Sequence, residues 1–126
     1  ALVHTNYSIP VANIKADKAY LRLCLINLIE NAIKYAEKPV IEIDTNIEGN
    51  NYSITVKDNG IGIATEHQKK IFERFYRITE GELHSSKGFG LGLNFVKKVI
   101  DTHNGKIDVK SEPGKGSTFT IKIPRN

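Results

Sequence analysis

Three separated segments of this 126-residue chain carry residue types whose spacing suits work on a charged, flat ligand. In the first, Asn27, Asn31 and Lys34 recur at i, i+4 and i+7, so a helix gathers them on one face. A carboxamide oxygen is a hard ligand, and magnesium takes only one or two protein oxygens when phosphates complete its shell. The stripe therefore fits a metal–phosphate site; the other use open to it is hydrogen bonding of both amides to neighbouring loop backbone. In the second segment, Asp58-Asn59-Gly60-Ile61-Gly62, the two glycines let backbone approach a ring. Asp58 offers acceptors only, which suits an exocyclic amine such as N6 of adenine over the carbonyl of guanine. Asp-Asn-Gly is also a common turn, and that plain reading stands beside the first. The third segment, Gly88-Phe89-Gly90-Leu91-Gly92-Leu93, opens a helical pattern whose free N–H groups attract phosphate. It is G-x-G-x-G with no strand immediately before it, which separates it from a dinucleotide-binding unit.

The elements that must position these segments follow from periodicity. Asp17 can cap a helix running to about Lys38, with Leu21, Leu25, Leu28, Ala32 and Ala36 on one side and Leu23, Ile26, Ile29 and Ile33 on further faces. That pattern predicts a largely buried helix, stopped by Pro39. Ile41, Ile43, Thr45 and Ile47, then Tyr52, Ile54 and Val56, alternate as two strands around Glu48-Gly49-Asn50-Asn51. Thr65 and Gln68 have capping-box spacing for a short helix through Phe75. Residues 77–87 show no period and read as a mobile loop. A helix from about Gly90 to His103 turns Leu93, Val96, Val99 and Ile100 inward and closes at Asn104-Gly105. A second hairpin spans Lys106 to Pro124 about Pro113-Gly114, and one further strand fits within Leu2 to Ile14. This order predicts an α+β two-layer sandwich, its helices on one face of a mixed, largely antiparallel sheet of about five strands.

The ordered set of three segments resembles the ATP-binding catalytic domain of bacterial sensor histidine kinases, over about Asp17 to Pro124. Ile71-Phe72-Glu73-Arg74-Phe75-Tyr76-Arg77 is similar to the aromatic box of the same kinases. The resemblance implies ATP and Mg2+ as cofactors. It implies that Asn31 ligates the magnesium with Asn27 supporting its shell, that Lys34 faces phosphate, and that Tyr35 packs near the nucleoside. It further implies nucleotide contacts at Asp58, Gly60, Gly62, Ile63, Tyr76, Lys87 and the run Gly88, Phe89, Gly90, Leu91, Gly92 and Leu93. Thr118 is expected to complete the adenine pocket through water. Phe89 stands where these kinases usually carry Thr or Ser, so contacts there rest on backbone. Residues 77–90 become the ATP lid, and Arg77 can reach a γ-phosphate and stabilise transfer. Phe72 and Phe75 read as core packing.

Gyrase, mismatch-repair ATPases and heat-shock chaperones share such a pocket, and those hydrolases place a Glu one turn before the metal-binding Asn. That slot is Asn27 here, which accepts no proton at neutral pH. Glu30 lies about 100° round the helix from Asn31, on another face. The resemblance thus implies γ-phosphate transfer to a histidine on a separate dimerisation domain of the parent, and from there indirectly to a response-regulator receiver domain. A nucleotide-binding switch module and a hydrolase of the same superfamily are the alternatives.

Composition bounds the rest. One domain accommodates the length, with residues 1–8 read as a linker or cut remnant. A net charge of +4 spreads over 18 basic and 14 acidic residues, which disfavours nucleic acid as partner. No apolar run reaches a membrane span and no signal peptide is visible, so the segment reads as cytoplasmic and, lacking a dimerisation helix, as a monomer. The single Cys24 excludes an intrachain disulfide and reads as a buried hydrophobe. His4, His67, His84 and His103 lack the context of a phosphoacceptor and read as surface or capping residues.

Overall fold

A computed structural model describes residues 2–7, 18–73 and 92–124. Eight elements succeed one another: β1 (Leu2–Tyr7), α1 (Lys18–Lys34), β2 (Val40–Glu48), β3 (Asn51–Asp58), α2 (Thr65–Gln68), α3 (Gly92–Thr102), β4 (Lys106–Glu112) and β5 (Gly116–Pro124). The five strands form one sheet in the order β1-β2-β3-β5-β4. β1 runs parallel to β2, and every other neighbouring pair is antiparallel. The parallel pair is possible because α1 supplies the crossover that a tight turn cannot.

Alternation dictates which face is apolar. Ile43 stands opposite Val56, Val56 opposite Phe119, and Phe119 opposite Val109. Ile54, Ile121 and Ile107 form the next row. These residues and Ile41 and Ile123 are buried or nearly so, and they meet Leu21, Cys24, Leu28 and Ala32 of α1 and Val96, Val99 and Ile100 of α3. Phe72 stacks edge-on to Phe119, ring centroids 6.3 Å apart, which is the core role expected of it. The opposite face carries Glu42, Lys57, Thr118 and Lys110 in one row and Asp44, Thr55, Thr120 and Asp108 in the next, a solvated polar surface.

The bounds of two elements, α1 and α2, differ from the sequence reading. α1 ends at Lys34, not Lys38. The Tyr35 carbonyl is taken by the Ile61 amide at 3.1 Å and the Lys38 carbonyl by Asn59 Nδ2 at 3.0 Å, so these oxygens serve the loop instead of another helical turn. α1 is also less buried than its composition suggests. Leu23, Ile26 and Ile33 are 46%, 42% and 43% exposed, because the sheet and α3 cover one side of it only. α2 is a single turn whose N-cap is Ala64, with no capping side chain. Gln68 does not reach back to the cap; its Nε2 donates to the Ile63 carbonyl at 2.8 Å and the Ser111 carbonyl at 3.0 Å. α3 is described from Gly92 onward and ends as expected, on Asn104 at φ 59° with the Gly105 amide on the Ile100 carbonyl.

Candidate functional site

The first two segments, with Gly92 and Leu93 of the third, border one place in the fold, at the end of the sheet where β3 finishes beside α1. β3 delivers Asp58 at its last position, in register with Ser117 of β5 on the helix-facing side. Asp58 Oδ1 accepts the Gly60 amide at 2.8 Å and the Ser117 amide at 3.2 Å. Its carboxyl is half-buried, and desolvation raises its pKa above the ordinary 3.8 while these two N–H bonds pull it down. Among the described residues nothing bonds Oδ2, which leaves that oxygen to a ligand donor.

The glycines of the loop after Asp58 are imposed by close backbone. Gly60 is buried; a Cβ there would sit 3.0 Å from the Tyr35 carbonyl oxygen and 3.1 Å from Asp58 Oδ1. Gly62 has φ +78°, and a Cβ would collide with the Glu112 carbonyl. The neighbouring Ile61 exchanges bonds with both sides: its amide donates to Tyr35 and its carbonyl accepts the Gly114 amide at 2.7 Å. Asn59 clamps the α1–β2 connection, accepting the Val40 amide through Oδ1 at 2.9 Å while its amide nitrogen holds Lys38.

Asn27 and Asn31 are half-buried on α1, and Lys34 is exposed with Nζ 5.5 Å from the Tyr35 ring centroid. Among the described residues, no hydrogen bond from other groups occupies either Asn carboxamide. A Cβ added at Gly92 would lie 3.9 Å from Asn27 Oδ1, so the start of α3 abuts the polar stripe of α1. These oxygens fit magnesium as a shared ligand set with phosphates. Among the described residues no group of three His, Cys, Asp or Glu side chains could hold a metal without them.

Gly62, Ile63, Gly92, Leu93 and Tyr35 are half-buried around this place. Tyr76, Arg77, Lys87, Gly88, Phe89, Gly90 and Leu91, and with them residues 77–90 as a lid, lie outside the described residues. Thr118 requires a correction. It pairs with Lys57 and Lys110 on the polar face, away from Asp58, because side chains alternate along β5. Ser117, one residue earlier and 7% exposed, occupies the position beside Asp58.

Sequence reasoning also missed the polar cluster behind Ser117. Ser111 Oγ accepts the Ile63 amide at 2.7 Å, donates to the Gly116 carbonyl at 2.9 Å and lies 2.7 Å from Ser117 Oγ. Ser111 and Ser117 stand opposite each other in the hairpin register, one pair in from the Pro113-Gly114-Lys115 loop, which is the signal that could have paired them.

The family of histidine kinase-, DNA gyrase B-, and HSP90-like ATPases matches residues 16–126. Over 113 residues the chain is 44% identical to the sensor protein RprX of Bacteroides fragilis, covering 86% of this chain and 22% of that protein. It is 43% identical over 109 residues to the sensor-like histidine kinase SenX3 of Mycolicibacterium smegmatis, covering 86% and 28%. The chain thus spans about a quarter of the curated relatives it matches. Its fold is similar to the catalytic domain of histidine kinase ThkA in nucleotide-free form (TM-score 0.82, 29% identity, 98% of this chain and 80% of that one). It is equally similar to full-length ShkA in complex with AMPPNP (TM-score 0.82, 30% identity, 98% and 25%).

Proposed function

This chain belongs to the histidine kinase-, DNA gyrase B-, and HSP90-like ATPases and carries the ATP-binding catalytic fold of sensor histidine kinases, and from that premise we propose that it binds Mg-ATP and donates the γ-phosphate to a histidine on a separate domain of its parent. The observation that carries the reading is the convergence of the first two segments with the start of α3. Asp58, the Gly60–Gly62 loop, the Asn27–Asn31 stripe and the start of α3 border one place although some 65 residues separate the first from the last. A half-buried acceptor at one end and carboxamide oxygens beside a helix N-terminus at the other suit a molecule with an amino-purine at one end and phosphates at the other.

In this reading Asp58 Oδ2 accepts the exocyclic amine, and the backbone at Gly60 and Gly62 lies against the ring. Asn31 holds magnesium, which neutralises phosphate charge, and Asn27 supports that shell. Lys34 and Lys87 draw in phosphate oxygens, while Tyr35 and Tyr76 pack near the nucleoside. The amides of residues 88–92 cradle the phosphates. Arg77 acts on charge that develops during transfer, so Arg77→Ala is expected to spare binding and slow transfer. The slot that would carry a water-activating carboxylate is Asn27, which favours transfer to an external nucleophile over hydrolysis. That nucleophile belongs to the dimerisation domain of the same parent, which then serves a response regulator.

Calorimetry with Mg-ATP and transfer of γ-label to an added phosphoacceptor segment test this together. Saturable binding, with acid-labile and base-stable label on the added segment, is expected. Binding that shows no dependence on magnesium, or label released only as free phosphate, would overturn it.

A further inference from the structure

The proton positions in the Ser111 cluster are set by counting hydrogens. A serine hydroxyl has one hydrogen and two lone pairs. Ser111 must spend its hydrogen on the Gly116 carbonyl, which only accepts. One of its lone pairs takes the Ile63 amide. The contact with Ser117 Oγ at 2.7 Å can then be made in one direction only, with Ser117 as donor and Ser111 as acceptor. Ser117 consequently has no hydrogen left to offer, and its lone pairs are what remains for the space beside Asp58. Its own amide is occupied by Asp58 Oδ1. Gln68 holds the arrangement from behind, with Nε2 bridging the carbonyls of Ile63 and Ser111.

We propose that Ser111, which need not touch the base, is a positioning residue for specificity: it orients the Ser117 hydroxyl away from the slot, so that the slot presents acceptors alone and selects a 6-amino purine against a 6-oxo purine. This rests on the reading of the slot as an adenine site and adds the device that gives it polarity. A serine left to rotate would donate to O6 of hypoxanthine or guanine as readily as it accepts from N6 of adenine. Held by Ser111, it cannot. Asp58 alone is a weaker filter, because one rotatable hydroxyl nearby is enough to offer a 6-oxo group a partner.

The test compares ATP with ITP, which differ in the purine at the 6-oxo position and the adjoining N1 proton. Affinities are measured by calorimetry on the whole chain, with thermal melts to follow folding. Ser111→Ala frees the Ser117 hydroxyl, and the preference for ATP over ITP is expected to fall about three- to tenfold, mainly through tighter ITP binding, the scale of one neutral hydrogen bond. Ser111→Thr keeps the hydroxyl and is expected to keep the wild-type ratio. Ser117→Ala leaves Ser111 in place and removes the directed acceptor, so ATP binding weakens and ITP binding does not; this variant carries the test if Ser111→Ala does not fold. Equal loss of both nucleotides in Ser111→Ala, or a relaxed ratio in Ser111→Thr, would reduce Ser111 to scaffold and overturn the proposal. A wild-type chain that binds both nucleotides equally would instead overturn the adenine reading itself.

Discussion

Asp58 is the residue on which local energetics and ligand recognition pull in opposite directions. Burial raises its pKa above 3.8, so ionising it costs the folded state something that the unfolded state does not bear. The sign follows directly. Below 3.8 both states hold the proton. As pH rises the unfolded chain releases it first, and stability falls until pH passes the higher folded value. Asp58→Asn removes that loss while its Oδ1 can still accept from Gly60 and Ser117. The melting temperature of the variant relative to wild type is therefore expected to climb as pH rises from about 4 through the carboxylate range. Binding goes the other way. The amide places a donor where Oδ2 stood, and adenine nucleotides are expected to lose about 1–3 kcal/mol at neutral pH, read by calorimetry. A variant that binds ATP unchanged would remove Asp58 from recognition.

At the scale of elements, α1 does two jobs with two faces. Its inner face carries Cys24, fully buried, whose thiol is pushed up to about 11 by desolvation. Iodoacetamide at pH 8 is expected to leave native protein unlabelled and to label it in denaturant; rapid native labelling would mean that α1 detaches from the sheet. Its polar stripe carries Asn31. Asn31→Ala is expected to weaken nucleotide binding in magnesium by about tenfold or more while changing magnesium-free binding little, consistent with loss of one metal ligand. Equal losses with and without the ion would make Asn31 structural. The loop after β3 is the other element under constraint. At Gly62 the backbone is left-handed and Glu112 and Pro113 crowd the missing side chain, so Gly62→Ala is expected to cost about 1–3 kcal/mol or more in denaturant unfolding. Because that loop also ends in bonds to Ser111 and Gln68, its loss should reach the base slot and not stability alone.

At the scale of the whole molecule, the described residues form one sheet with helices on a single side, and the candidate site lies at the end of that sheet where strand ends and helix ends meet. No helix among the described residues is long and apolar enough to cross a membrane. Ground-state binding groups alone do not lower a transfer barrier, and Asn27 offers no base to water. The isolated chain is therefore expected to hydrolyse ATP very slowly and to take no phosphate onto His4, His67, His84 or His103. His103 supports this in its own setting, with Nδ1 2.8 Å from the Val99 carbonyl at the end of α3. Acid-labile label on the chain incubated alone with γ-labelled ATP would promote one of the four and contradict the division of labour proposed here.

Periodicity was enough to determine the two-layer α+β architecture, because burial of an alternating strand or an amphipathic helix leaves one workable side for each residue. The two hairpins, the closing of α3 at Asn104-Gly105 and the core role of Phe72 all follow from local pattern and turn chemistry. The spacing of Asn27, Asn31 and Lys34, and the acceptor character of Asp58, likewise needed no coordinates to be noticed. What tertiary structure alone decided is how distant groups pair. α1 stops at Lys34 because Ile61 and Asn59, more than 20 residues on, claim the carbonyls of Tyr35 and Lys38. The exposed Leu23, Ile26 and Ile33 depend on which faces the sheet and α3 leave open. The place beside Asp58 belongs to Ser117 and not Thr118 because strand register is a relation between two segments, and a shift of one residue exchanges the faces of a sheet. The direction of the Ser117 hydroxyl lies further still from the one-dimensional pattern, since it is set by the Ile63 amide and the Gly116 carbonyl, two partners that only the closed hairpin and loop bring within hydrogen-bonding distance of Ser111.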